Sequence, residues 1–372
     1  MTAGRVTAVV DAPTRCPRNR EPFFLQWHVT RRCNLSCKHC YGNYGEGGDE
    51  PDTEECISII DRYTRFLKKE GLRGRIHFTG GEPFLRKDLL SLIKAARKQR
   101  LGVKVLSNGT LITADIASAL ARMRVQAVQV SIDGIEATHD RLRGREGAWR
   151  DAMRGLAHLR DAGVSTTASM TVSKLNVDEV GTVLESCHCE RIDRVGFSRL
   201  VPWGRGKDLA DELLDREGSQ ELFADLLRHR CELEGEIDIP PRDPLWQLVR
   251  GVPVGACYLA KARRSAGGCS IGTGGLALLA DGTLLACRRL PIPIGNIRED
   301  DLEDVWHNAP LLEELRDRDR LKGRCGSCRY RFHCGGCRAI AYGATGDHLS
   351  EDPQCWNERE GLGARIRSFF KG

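Results

Sequence analysis

The chain has 372 residues, 41% apolar and 29% charged, with 57 basic against 51 acidic side chains and a net charge of +6. That length exceeds what one compact core usually holds, so it predicts two domains, or one large domain with a substantial appendage. The mild charge, without a basic block interleaved with aromatics, excludes a nucleic-acid surface. No apolar run approaches the roughly 18 residues that span a bilayer, and residues 1–13 lack a signal core, so the chain reads as cytoplasmic with no membrane partner.

From residue 23 to about 201, short β-type runs alternate with amphipathic stretches. FFLQWHV (23–29) precedes EECISIIDRYTRFLKKEG (54–71); RIHF (75–78) precedes KDLLSLIKAARKQRLG (87–102); VKVL (103–106) precedes ADIASALARM (114–123). VQVSI (128–132) is followed by AWRDAMRGLAHLRDAG (148–163), TTASMTV (166–172) by VDEVGTVLESC (177–187), and RVGFSRLV (194–201) ends the series. Apolar residues recur at three- and four-residue spacing in the longer members, as on helices. Gly71, Gly102 and Gly163 fall just past helix ends, where a left-handed residue is commonest. Strand–helix alternation implies right-handed crossovers and a parallel sheet, hence an α/β fold, open or curled into a partial (β/α)6 TIM-like barrel. Sites in such sheets lie at the C-terminal strand ends. The expected divisions are an N-terminal extension (1–22), the partial barrel (23–201), a helical linker region (202–250) opening with VPWGRGKDL, a cysteine-rich domain (251–356) and a C-terminal helix or tail (357–372). In the cysteine-rich part, LALLADGTLLAC carries a hairpin signal at Asp281-Gly282. That part lacks the apolar area for a core of its own and needs metal clusters as staples.

Sixteen cysteines in a reducing compartment argue for metal or cluster ligation rather than disulfides. Cys33, Cys37 and Cys40 sit together in RRCNLSCKHCYG, directly after the first strand. A closed four-iron cluster takes four thiolates, so three leave one iron open to a small chelating ligand. A zinc site completed by His39 or His28 is the alternative on the loop alone. The next strand ends FTGGEPFL (78–85), where two glycines let the backbone approach a ligand and Glu82 offers a carboxylate.

CNLSCKHCY and GGEP together resemble the radical S-adenosylmethionine enzyme superfamily. The resemblance implies that Cys33, Cys37 and Cys40 hold a [4Fe–4S] cluster whose unique iron is chelated by S-adenosylmethionine. It implies that Gly80, Gly81 and Glu82 receive the methionine amino group. It further implies that Ser107 and Asn108 (LSNGT) and Ser131 and Asp133 (VSIDG) line the cofactor pocket, with Tyr41 and His39 on the adenine side. The implied mechanism is one-electron cleavage to a 5′-deoxyadenosyl radical that abstracts hydrogen from a substrate, with a flavodoxin or ferredoxin as electron donor. Such a radical must be kept from water, which suits a closed barrel mouth. No residue is assigned as acid, base or nucleophile.

The later cysteines run Cys269-x12-Gly282-x4-Cys287, then Cys325-x2-Cys328-x5-Cys334-x2-Cys337, then Cys355. This resembles the SPASM extension, which carries auxiliary iron–sulfur clusters, although the family has three residues where CGGC has two. The resemblance assigns Cys325, Cys328, Cys334 and Cys355 to one [4Fe–4S] cluster and Cys269, Cys287 and Cys337 to another. Cys257 is the candidate fourth ligand of the latter. Structural zinc sites are the alternative. Cys16, Cys56, Cys187, Cys189 and Cys231 read as packed thiols.

SPASM-type enzymes mostly resemble maturases of a peptide or partner protein, which is the first expectation for the substrate, although residues 1–22 are too short for a leader-binding domain. A smaller branch acts on heme precursors, and CGGCRAIAYGATGD (334–347) and LVPWGRGKDL (200–209) resemble it. There, Arg199, Arg205 and Lys207 would contact tetrapyrrole propionates; otherwise they are solvated charges. A multi-cluster electron carrier explains the cysteines but not a three-ligand site beside Gly-Gly-Glu, and a zinc-stapled interaction protein is the remaining reading. Anaerobically reconstituted protein is expected to contain about twelve irons per chain, from three four-iron clusters. Little iron with stoichiometric zinc would sink the catalytic reading.

Overall fold

The computed structural model describes residues 22–42, 44, 48–249 and 268–357. The six expected strands form as β1 (Phe23–His28), β2 (Gly74–Thr79), β3 (Gly102–Ser107), β4 (Ala127–Ser131), β5 (Thr166–Val172) and β6 (Arg194–Arg199). They pair in sequential order, every pair parallel, with Phe24 opposite Arg75 in the first and Val128 opposite Thr166 in the fourth. Leu25, Trp27, Ile76, Phe78, Val103, Val105, Val128 and Val130 have no exposed surface. Near-continuous apolar strands of this kind are what a parallel sheet covered by crossover helices requires.

The crossover helices are α1 (Thr53–Lys69), α2 (Leu89–Lys98), α3 (Ala114–Arg122), α4 (Glu136–Arg143), α5 (Ala148–Asp161) and α6 (Val180–Cys189). Asp52 caps α1 by accepting from the Glu55 N–H at 2.8 Å, and Thr113 caps α3 through Ile116. Helix α4 is not predicted, because EATHDRLR has no apolar stripe. It stops instead on Gly144, left-handed at φ 71°. Gly71 and Gly163 are left-handed as expected (φ 63° and 72°), but Gly102 is not: it opens β3, and Arg100 takes the positive φ of 60°.

The cysteine-rich part does not stand apart. Strand β7 (Gly275–Leu278) pairs parallel with β1, Phe24 opposite Gly275, and β8 (Thr283–Cys287) and β9 (Leu290–Asn296) continue antiparallel into one nine-stranded sheet. Asp281-Gly282 makes the expected turn, with Gly282 at φ 89°. The hairpin therefore borrows the barrel's core: Trp306 packs edge-on against Phe23 at 4.9 Å between ring centroids. Helices α7 (Arg216–Glu232) and α8 (Trp246–Val249) precede it. Helices α9 (Leu302–Asn308), α10 (Pro310–Arg316), α11 (Gly323–Ser327) and α12 (Arg338–Thr345) follow. Among the described residues no helix is long and apolar enough to cross a membrane.

Residues 201–209 are not a free linker. They turn over the three-cysteine loop, Arg205 and Gly206 donating to the Cys40 carbonyl at 2.9 and 3.4 Å. A Cβ on Gly204 would lie 2.7 Å from the Cys40 carbonyl oxygen, so only glycine permits this approach. Arg199, expected at the surface, is 1% exposed at the end of β6. Its guanidinium donates to Asp243 at 3.0 and 3.1 Å and to Asp352 at 2.9 and 2.8 Å, tying the barrel to the segments before and after the cysteine-rich hairpin. Removing one partner of such a pair leaves buried charge uncompensated, at about 3–5 kcal/mol. Arg199→Met is therefore expected to lower the urea midpoint by that equivalent, and an unchanged midpoint would show that the network contributes nothing net.

Candidate active site

The loop after β1 is held from both sides. From α4, the Leu142 and Arg143 carbonyls accept from Lys38 and Ser36 at 2.8 and 3.3 Å. From the end of β3, Asn108 donates to the Asn34 side chain at 2.9 Å, which donates in turn to Thr110 at 2.9 Å. Gly81 and Glu82 donate their N–H groups to the Thr30 and Arg32 carbonyls at 2.9 and 2.8 Å. A Cβ on Gly81 would sit 2.3 Å from the Arg32 oxygen, so the glycine pair seats the end of β2 against the loop itself.

Cys33, Cys37 and Cys40 consequently face one cleft of about 150 Å³ at the C-terminal ends of the strands, together with Gly80, Gly81, Ser107, Asn108, Ser131, Tyr41 and His39. Glu82 and Asp133 do not line it. Glu82 is fully buried behind it and accepts from Ser107, the Asn108 N–H and the Phe84 N–H at 2.9, 2.8 and 3.1 Å, so its carboxylate ties β2 to β3. Burial pushes its pKa up to about 7, against the pull of those donors. Asp133, equally buried, accepts from the Thr171 N–H at 2.8 Å and pairs with Arg143 at 2.5 Å and His39 at 3.2 Å. Burial alone would raise its pKa; the Arg143 guanidinium, then His39, hold it well below the usual carboxylate range. The two acids act through the residues that they hold.

The sequence reading missed several lining residues. Arg143 lies on the unpredicted α4 and donates to Cys37 Sγ at 3.6 Å. Gln129 beside the expected Ser131 on β4, Ser169 and Thr171 on β5 and Ser198 on β6 turn polar side chains into the cleft. Their signal was legible as polar residues at alternate positions of apolar strands. Arg205 lines the cleft as well, while Lys207 is exposed and stacks over Trp203 at 4.3 Å. Arg288 and Arg289 enter from the β8–β9 turn.

The donor set suits a cluster rather than one ion. Burial pushes the Cys33 thiol up to about 11 and raises Cys37 too, despite Arg143 beside it, so these thiols ionise only against a strong positive centre. Among the described residues no three His, Cys, Asp or Glu gather closely enough to hold a single metal ion. A cluster bonds each thiolate to a different iron and asks for no such convergence. The remaining cysteines fall into two groups. Cys325, Cys328, Cys334 and Cys355 surround a second cavity, where N–H groups of Asp352, Tyr330 and Gly336 point at three of the sulfurs from 3.4–3.5 Å. Cys269 lies against Cys337 and Cys287, and burial pushes its thiol up to about 11. Cys257 lies outside the described residues, as does Cys16. Cys56 and Cys187 are packed thiols, but Cys189 and Cys231 are exposed.

Comparisons with known proteins agree with this geometry. Residues 27–187 match the radical SAM superfamily and residues 269–329 the SPASM iron–sulfur cluster-binding domain. An AdoMet-dependent heme synthase of Nitratidesulfovibrio vulgaris is 32% identical over 345 residues, 89% of this chain and 91% of that protein. Mycofactocin maturase MftC of Mycobacterium ulcerans is 32% identical over 352 residues, 90% of this chain and 88% of that protein. Streptococcus suis SuiB bound to S-adenosylmethionine has the same fold, with a TM-score of 0.69 at 18% identity over 91% of this chain and 76% of that one. The chain belongs to the radical SAM superfamily and is an enzyme of that family with a C-terminal SPASM domain.

Proposed function

We propose that the enzyme cleaves S-adenosylmethionine reductively at the cleft below the β1 loop and abstracts hydrogen from a peptide or protein being matured. The observation that carries this reading is the convergence of Cys33, Cys37, Cys40 and the Gly80-Gly81 backbone on one cleft. When bound, the four-iron cluster and S-adenosylmethionine supply an electron and a 5′-deoxyadenosyl radical.

The chain's own residues do the rest. Cys33, Cys37 and Cys40 hold the cluster, Gly80 and Gly81 present backbone to the methionine end, and Tyr41 closes the side toward the cysteine-rich hairpin. Asp133 fixes Arg143, whose guanidinium is left facing both Cys37 and the space where an anionic group would lie. Ser107 and Asn108 are held by Glu82, and Ser131 continues the polar wall. Cys325, Cys328, Cys334 and Cys355 hold one auxiliary cluster; Cys269, Cys287 and Cys337 belong to the other. The described part of the flanking unit (251–356), residues 268–356, would thereby form a redox-active wall beside the barrel (23–201).

A second reading, chemistry at the propionate side chains of a tetrapyrrole, is favoured by the cleft's arginines and by the heme synthase relative, which matches as closely as the peptide maturase. An electron donor such as a flavodoxin or ferredoxin is part of either reading.

Two measurements test the proposal. Cys33→Ala/Cys37→Ala/Cys40→Ala is expected to abolish 5′-deoxyadenosine formation under dithionite while about eight irons per chain remain in the auxiliary clusters; continued formation would sink the assignment. Asp133→Asn, which frees Arg143, is expected to weaken S-adenosylmethionine binding about tenfold, ~1.4 kcal/mol, by anaerobic equilibrium dialysis. Unchanged affinity would confine Asp133 to a structural role.

A further inference from the structure

We infer that Arg288 and Arg289 form a carboxylate clamp for the substrate in the cleft, so that the enzyme selects substrates by a free carboxylate. The inference rests on the reading of this cleft as the active site and adds its substrate chemistry. The two arginines are consecutive at the tip of a two-residue hairpin turn, since Cys287 pairs with Leu290 across β8 and β9. From the tip, the Arg288 side chain reaches β1 and approaches the loop that follows it. Arg288 donates to the Gln26 side chain at 2.7 Å and lies 5.9 Å from the Tyr41 ring centroid. Arg289 donates to the Arg199 carbonyl at 3.5 Å, at the limit of a hydrogen bond.

Charge is what makes these contacts incomplete. Among the described residues no carboxylate lines the cleft, whereas five arginines do. Arg143 is neutralised by Asp133, and Arg199 by Asp243 and Asp352. Among the described residues, Arg288 and Arg289 have no ion-pair partner. The charges felt at Arg289 are those of Cys337 and Cys287, which are assigned to a cluster, and then of Asp243, which already serves Arg199. Half-buried cations held by neutral acceptors are costly until an anion arrives. The carboxylate of S-adenosylmethionine is the one anionic group that the cofactor brings, and in the binding mode that the resemblance implies it is taken up at the unique iron. Guanidinium planes match carboxylate and phosphate alike, and carboxylate is the anion that both proposed substrate classes carry.

Two sources of carboxylate fit, a tetrapyrrole propionate and a peptide's C-terminus, and the test separates them. Reconstituted full-length enzyme is titrated anaerobically with Fe-coproporphyrin III and its tetramethyl ester, by absorbance. Equilibrium dialysis is run with a mixed hexapeptide pool and its C-terminally amidated twin. S-adenosylmethionine affinity and the electron paramagnetic resonance of the clusters are followed alongside. The expected result is a preference of about tenfold for the free acid in one pair, which identifies the source. Arg288→Gln/Arg289→Gln removes that preference, and Arg288→Lys/Arg289→Lys keeps part of it. Cofactor affinity and cluster signals stay as in the native protein.

The clamp is overturned if neither pair distinguishes acid from blocked acid, or if the preference survives the glutamine pair. It is also overturned if cofactor affinity falls in step, which would give the arginines to the cofactor's own carboxylate, or if the auxiliary cluster signal shifts instead, which would make Arg289 a counter-charge to Cys287 and Cys337. Dithionite-driven 5′-deoxyadenosine formation by the same preparation separates the two levels. Its absence sinks the proposed activity, whereas its presence without acid preference sinks the clamp alone.

Discussion

The parallel pairing of β1 with β7 is the contact on which the arrangement of this enzyme depends. Without it, β1 would be an open edge with a row of unpaired N–H and C=O groups, and the cysteine-rich hairpin would have no core. With it, Phe24 to Trp27 run against Gly275 to Leu278, and β8 and β9 extend the same sheet. Because β8 runs antiparallel, the β8–β9 turn lies two strands from β1 and toward its N-terminal end, and its arginine side chains extend from there into the cleft that the β1 loop borders. Cys33, Cys37 and Cys40 thus come to face Arg288 and Arg289, about 250 residues later in the chain.

Around this frame the protein keeps buried charge in closed sets. Asp133, Arg143 and His39 form one; Arg199, Asp243 and Asp352 form another, with the Cys337 N–H donating to Asp352 at 2.8 Å. Each set ends at a cysteine: Arg143 at Cys37, Asp352 at the backbone of Cys337 and, through its own N–H, at Cys325. Buried ion pairs contribute little net stability against apolar replacements. What they do here is fix the orientation of groups beside sulfur, where hydrogen bonds and nearby charge tune a bound cluster's potential.

Burial sets a second constraint. Burial raises the pKa of the Cys33, Cys37, Cys269 and Cys355 thiols above the ordinary thiol range, so a cationic centre is what would offset the cost of their ionised, ligating form.

The sequence by itself determined the six strands of the barrel, the hairpin at Asp281-Gly282 and the three-cysteine loop, because each is a local pattern: apolar periodicity, a turn dipeptide, a ligand spacing; the grouping of the later cysteines came only with the resemblance to SPASM. Helix α4 escaped because its residues carry no apolar stripe and its stability comes from contacts with the β1 loop, and Arg143 was missed with it. Arg199 read as a surface charge because its partners lie 44 and 153 positions away. Glu82 and Asp133 were recognised as site residues, but their place behind the lining, holding it rather than forming it, follows from hydrogen bonds across three strand ends. Only the tertiary structure decided what stands opposite the cysteine loop, since β1–β7 pairing joins segments whose separation in the chain leaves no local signal.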